Sequence, residues 1–297
     1  AAYSSREVDA DPAAAVADLR AALGRRYRVD VRDGHTLAAE TGFAKESGNL
    51  LFHLALIGII VGVAIGHVFG WKGDVIVPVG SSFSNTAINY DTISPGPRVD
   101  TAELPPFSLT VDRFDAVFED RVRGDAQFGQ PRDFTAYLRT VAEPGAAEKA
   151  QVLKVNHPVE MDGATIFLLG NGYAANVTVK DSRGEVVYKG ATVFLPRDNN
   201  YTSSGAIKVP GAQPQELGFF GNLLPTAVIT KDRGPISVFP DAREPAMALG
   251  LYEGELNPGG ASGSVYTLNT KEMAVVDDAN GEPLRIWITS GETVQLP

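Results

Sequence analysis

The sequence predicts a mainly β protein: a single transmembrane helix followed by a large antiparallel β-rich extracytoplasmic domain, a sandwich or open barrel, with a small α/β cytoplasmic segment ahead of the helix. Three observations predict it. Residues 50–71 form an uncharged apolar run of 22 residues. The 226 residues that follow break into short alternating runs punctuated by Gly and Pro, the pattern of antiparallel strands joined by tight turns. Residues 1–49 hold one helix-forming run and one hairpin signal. The expected divisions are therefore 1–49, 50–71 and 72–297. Internal repeats and low-complexity stretches are not evident.

Ala13 to Leu23, AAAVADLRAAL, is a strong helix former with Asp11-Pro12 as its start. YRVDVRDGHTLAAE then alternates around Asp33-Gly34, a hairpin signal. His35 lies at that turn and reads as a surface residue.

The apolar run LLFHLALIGIIVGVAIGHVFGW is about 33 Å long at roughly 1.5 Å per residue, enough to cross a bilayer core of about 30 Å. A signal peptide would be shorter and would sit at the N-terminus. Seven Lys or Arg precede the run, whereas Lys72 is the only one among the next twenty or so residues. The positive-inside tendency places the N-terminal segment in the cytoplasm, with Phe69 and Trp71 at the outer interface. Two histidines, His53 and His67, lie within about 40° of one another around the helix axis and about 21 Å apart along it. Gly58, Gly62, Gly66 and Gly70 recur at every fourth position on a different side, a stripe that admits close helix approach. A polar group in hydrocarbon is costly, so the span implies partner helices outside this sequence. For both histidines a headgroup-level, snorkelling role stands beside a functional one.

Beyond the span, candidate strands are FSLTVDRF (107–114), FTAYLRTV (134–141), QVLKVN (151–156), TIFLLG (165–170), ANVTVKD (175–181), EVVYKG (185–190), ISVF (236–239), MALGLYEG (247–254), SVYTLN (264–269) and LRIWITS (284–290). Asp181 to Gly184 is a turn between two of them. The ends, AAYSSREVDADP and GETVQLP, read as cuts in a longer chain.

A formal net charge of -10 argues against a nucleic-acid surface, which needs clustered cations. With no cysteine, disulfides, thiolate metal sites and covalent haem attachment through this chain are excluded. Hydrolase, P-loop, zinc-protease and calcium-loop motifs are absent. Carboxylate pairs such as Asp277-Asp278 and Glu119-Asp120 read as solvated faces. Asn176-Val177-Thr178 and Asn200-Tyr201-Thr202 match a glycosylation sequon that means little outside a eukaryotic secretory setting. His157, in Val155-Asn156-His157-Pro158-Val159, is the one histidine after the span. The following proline favours an extended backbone there, so its ring projects from a strand end. It reads equally as a haem ligand, a proton carrier or a structural residue.

GNLLFHLALIGIIVG, then Val79-Gly80-Ser81-Ser82-Phe83-Ser84-Asn85, then VNHPVEMDGATIFLLGNGYA, FLP (194–196) and SVFP (237–240) together resemble the ResB family, the membrane component of system II cytochrome c biogenesis. The likeness runs from about Tyr27 onward and rests on the order of these stretches. Family members carry further membrane helices that this sequence lacks. The resemblance implies a cell-membrane protein that assists haem transfer across the membrane and its presentation to apocytochrome c beside a ResC-type partner. It implies a subunit with no enzymatic activity of its own and with haem as a transient cofactor. His53 matches the family's intramembrane histidine and His157 the histidine of its outer-domain motif; His67 has no counterpart. Neutral imidazole is a standard axial ligand of haem iron. Two rival readings are a membrane-anchored binding module indifferent to haem and a scaffold whose partner supplies every ligand. Besides the ResC-type subunit and apocytochrome c, membrane lipid is an expected partner and nucleic acid is not.

Overall fold

The computed structural model describes residues 4–7, 9–121, 127–161, 163–257 and 265–296. The chain resolves into two compact units: residues 1–72 with 94–99, and residues 73–93 with 100–297.

In the first unit, α1 (Pro12–Leu23) starts where Asp11 caps it, its carboxylate accepting from the Ala14 amide at 3.1 Å. The hairpin of β1 (Arg28–Arg32) and β2 (Thr36–Glu40) follows. Positive φ at Asp33 (52°) and Gly34 (66°) supplies the turn, a conformation that Asn, Asp and Gly tolerate best. Next comes α2 (Phe43–Phe69), starting seven residues before the apolar run expected from Leu50. Its stretch Ala44–Phe69 holds an 18-residue window of mean hydropathy 2.3 with no buried residue, so it is long and apolar enough to cross a membrane. At its end, residues 94–99 return to it. Gly96 N donates to Gly70 O at 2.9 Å, and Arg98 N to Val68 O at 3.1 Å, pairing carbonyls that a helix terminus leaves open.

The second unit is mainly antiparallel β, as expected. The first strands after the span are β3 (Trp71–Asp74) and β5 (Thr92–Pro95), which pair with each other and both cross the division between the units, and β4 (Ser82–Ser84) within the second. A four-stranded sheet, ordered β4-β6-β7-β8, adds β6 (Ser108–Phe118), β7 (Pro131–Val141) and β8 (Lys149–Lys154). A bulge at Asp112 interrupts the β6–β7 register, and its carboxylate accepts from Arg139 Nε at 2.9 Å. The hairpin of β9 (Val159–Met161) and β10 (Ala164–Ile166) follows.

The larger sheet is built from β11 (Tyr173–Lys180), β12 (Val186–Pro196), β13 (Ser203–Val209) and β14 (Leu217–Leu224). A hairpin of β15 (Ala227–Thr230) and β16 (Gly234–Ser237) then precedes β17 (Ala246–Gly254), which pairs along all of β14. Two short strands, β18 (Met273–Val275) and β19 (Arg285–Thr289), share the other edge of β17 end to end. Phe194, Ile207, Val209, Phe219, Leu249 and Ile286 form its buried core.

The two sheets meet at an aromatic cluster. Phe118 from the end of β6 stands edge-on to Tyr201 (5.6 Å) and Phe239 (6.3 Å), and Tyr201 to Tyr173 (6.2 Å). The Tyr173 hydroxyl donates to Pro240 O and that of Tyr201 to Asn171 Oδ1, each at 2.7 Å.

Two expected strands are corrected. In TIFLLG only Thr165 and Ile166 are paired, at the end of β10; Phe167 and Leu169 leave the ladder and are exposed, because β9 is just three residues long. In SVYTLN, Ser264 lies outside the described residues, and 265–269 is turn and coil. Leu268 lies against the bare Cα of Gly218 in β14, and the Tyr266 hydroxyl donates to Asp91 at 2.6 Å, so the segment is held by side chains rather than by a ladder.

Candidate functional site

His53 stands in the apolar helix α2, in the second turn after the polar stretch Lys45 to Asn49. Its Nδ1 lies 2.7 Å from Asn49 O. A carbonyl oxygen only accepts, so Nδ1–H donates, and in the neutral ring the lone pair is then on Nε2. The ring packs edge-on to Phe52, centroids 5.6 Å apart, and is otherwise open on the helix surface. A histidine fixed through Nδ1 with Nε2 facing outward is the arrangement that orients imidazole for a metal.

His157 repeats it in the second unit. Its Nδ1–H donates to Val155 O at 3.1 Å, leaving Nε2 outward on an exposed side chain. Lys154 to His157 is a tight turn closed by His157 N to Lys154 O at 3.0 Å, with Asn156 at φ 61°. Asparagine is among the few side chains that accept that conformation, which accounts for Asn before the histidine.

His67 is exposed on the last turn of α2, and no side-chain partner reaches it among the described residues. Fourteen positions separate it from His53 on one continuous helix, about 21 Å of rise, so the pair cannot bind one iron together. His157 belongs to the other unit. Among the described residues no cluster of three or more metal-ligating side chains occurs.

The stretch Val79 to Asn85 has a structural role that spacing did not reveal. Asn85 is buried; its Nδ2 donates to Pro105 O at 2.9 Å, and its Oδ1 accepts from the Tyr90 hydroxyl at 2.6 Å. Phe83 stands edge-on to Tyr90 at 4.9 Å, and the Tyr90 ring lies against Gly73, where any Cβ would collide with it. Tyr90 thus knits together the segment following the span, which Asn85 and the β4–β6 pairing join to the rest of the β domain. Burial pushes the Tyr90 hydroxyl up to about 12 from its ordinary 10.0. A raised folded value means the stabilisation is complete below the ordinary value and is lost as pH rises through it toward 12. Tyr90→Phe should remove one phenolate from the high-pH limb of an ultraviolet difference titration; an unaltered limb would mean that Tyr90 ionises like a solvated tyrosine.

Other stretches on which the family likeness rested serve packing: Tyr173, Phe239 and Pro240 enter the aromatic cluster, and Phe194 is fully buried.

The model of the ResB-like family matches residues 1–291. A cytochrome c biogenesis protein CcsB of Synechococcus sp. (strain JA-3-3Ab) is 29% identical over 143 residues, covering 48% of this chain and 27% of that protein. The CcsB of Synechococcus sp. (strain CC9311) is 25% identical over 248 residues, 80% of this chain and 46% of the relative. That of Synechococcus sp. (strain WH7803) is 24% identical over 253 residues, 84% and 46%. The chain thus spans less than half the length of these curated relatives. No solved structure matches it.

Proposed function

We propose, from the premise that this chain belongs to the ResB-like family, that it is part of a membrane assembly that delivers haem for cytochrome c maturation, with His53 as a transient axial ligand. The relatives named cytochrome c biogenesis proteins support the process. The observation that supports the ligand is the tie from His53 Nδ1 to Asn49 O, which leaves Nε2 presented from an apolar helix.

The residues present suit such a group in kind. Haem iron takes neutral imidazole nitrogen, and the apolar helix surface around His53 suits the macrocycle. When bound, the haem supplies the group that is attached to the cytochrome. This chain's part is to orient one imidazole, and a second ligand would come from partner helices, for which the unburied span and its glycine stripe leave room. A ResC-type subunit is the proposed partner and apocytochrome c the proposed recipient, with residues 1–49 in the cytoplasm and the β domain outside. His157 is proposed as a second, outer ligand with the same presentation of Nε2. His67 is proposed as an outer-interface residue, its ring free to reach headgroups and water.

The test is haem bound per complex, in the full protein purified with its partner. His53→Ala should lower that ratio about tenfold, and added imidazole should restore part of it, because a small free ligand can occupy the vacated position. His67→Ala should change it less than twofold. An unchanged ratio in the His53 variant would remove it as a ligand and leave a scaffold whose partner supplies all of them.

A further inference from the structure

An open surface cleft of about 640 Å³ lies between α1 and the β1–β2 hairpin in the first unit. Val16, Ala17 and Ala21 line it from the helix, and Val31 from the hairpin. These helix positions follow a 3–4 spacing, so the cleft occupies the face that a small amphipathic helix ordinarily closes against its sheet. It is not closed here: Val16 is the one buried hydrophobic residue of the module among the described residues.

Arg20 stands on the same face, between Ala17 and Ala21, and Arg25 adds a second guanidinium from the turn after the helix. Neither makes an ion pair among the described residues, so both guanidiniums are available to an anion. No Asp or Glu lines the cleft. Arg20 is exposed, one turn after the buried Val16, so its guanidinium is open to solvent on the side of the helix that lines the cleft.

We infer that this cleft binds an amphiphilic acid of small-molecule size, its apolar body against the Ala and Val floor and its carboxylate or phosphate on Arg20 and Arg25. The volume falls in the range of about 300–1,000 Å³ usual for small ligands. Guanidinium is the side chain best shaped for a carboxylate or phosphate, which it can hold through two parallel N–H donors. The site owes nothing to iron ligation and stands or falls separately from His53. Its ligand can reach it from solution or from the bilayer, since β2 ends at Glu40 and α2 begins at Phe43.

The chain has no cysteine, so a fluorophore on Leu19→Cys, an exposed position outside the cleft lining, reports on the cleft alone. The labelled full chain, in nanodiscs of zwitterionic lipid, is titrated with protoporphyrin IX, a flat apolar dicarboxylate whose lack of iron silences any histidine ligand. A parallel titration uses nanodiscs containing a spin-labelled fatty acid. Saturable quenching by either probe is expected, the first indicating a soluble source and the second a membrane source. Arg20→Ala/Arg25→Ala should raise half-saturation about tenfold, and Ala17→Trp, which fills the cleft, should abolish saturation. Arg6→Ala/Arg26→Ala removes the same charge outside the cleft and should change nothing. Quenching that never saturates, that is equal across these variants, or that is as strong with the porphyrin dimethyl ester overturns the proposal. Circular dichroism of each variant confirms that α1 is retained.

Discussion

Phe194→Ala is expected to cost about 3–5 kcal/mol of folding stability in the β domain, the range for emptying a fully buried aromatic site. Phe194 lies on β12 with 0% exposure, at the centre of the core that also holds Ile207, Val209 and Phe219. Its ring sits against the Cα of Gly205, where a Cβ would come within 2.7 Å of it. The two positions are complementary: one side chain fills the space the other omits. Trp287 on β19, paired with Ala248 in the same sheet, is a fluorescence reporter for denaturant unfolding. The midpoint should fall with little change in slope, as for a loss of stability without a change in the surface exposed. Because the two residues share one space, Gly205→Ala should harm the native chain yet be less harmful in a Phe194→Leu background, a non-additive cycle. A midpoint that does not move in Phe194→Ala would place the core elsewhere.

Gly96→Ala is expected to release the return segment 94–99 from the end of α2. A Cβ there would fall on the carbonyl oxygens of His67, of Val68 at 2.6 Å and of Gly70 at 2.7 Å, all backbone atoms that cannot swing aside. The variant would lose the bonds from Gly96 N to Gly70 O and from Arg98 N to Val68 O. Each such hydrogen bond, at partly and fully exposed positions, contributes about 0.5–1.5 kcal/mol net, so the two together are worth about 1–3 kcal/mol. Amide exchange at residues 96 and 98 should therefore speed up about tenfold or more, each factor of ten corresponding to about 1.4 kcal/mol. Gly48→Ala is the control: it lies in α2 with nothing within 4 Å of an added Cβ, so helix propensity alone favours the substitution. Unchanged exchange in Gly96→Ala, with Gly48→Ala also neutral, would show that the closure is not sterically set.

Much of the fold was legible because its signals are local. The apolar run after Gly48, the Asp11-Pro12 start of α1, the Asp33-Gly34 turn and the alternation of β6, β7, β11 and β19 depend on neighbours in sequence. Among the strands left unread, β13 and β14 are central ones. β13 reads SSGAIKV and buries Ser203, Gly205, Ala206, Ile207 and Val209, so its burial has no period of two. A strand covered on both faces does not alternate, and small residues that admit a neighbouring ring look like turn residues in a linear reading.

The candidate site divides in the same way. That His53 lies in a membrane-length helix, and that no cysteine or acidic cluster accompanies it, follow from residue order and composition, because helix length and residue chemistry are properties of the chain itself. Which nitrogen faces outward on His53 and His157, that Asn85 and Tyr90 lock the segment after the span, and that Arg20 lies unpaired in a cleft were decided by tertiary structure alone. Each depends on a backbone carbonyl, a buried surface or a missing acid that only the folded chain brings within reach, and a side chain's hydrogen-bond partner is set by space rather than by order in the sequence.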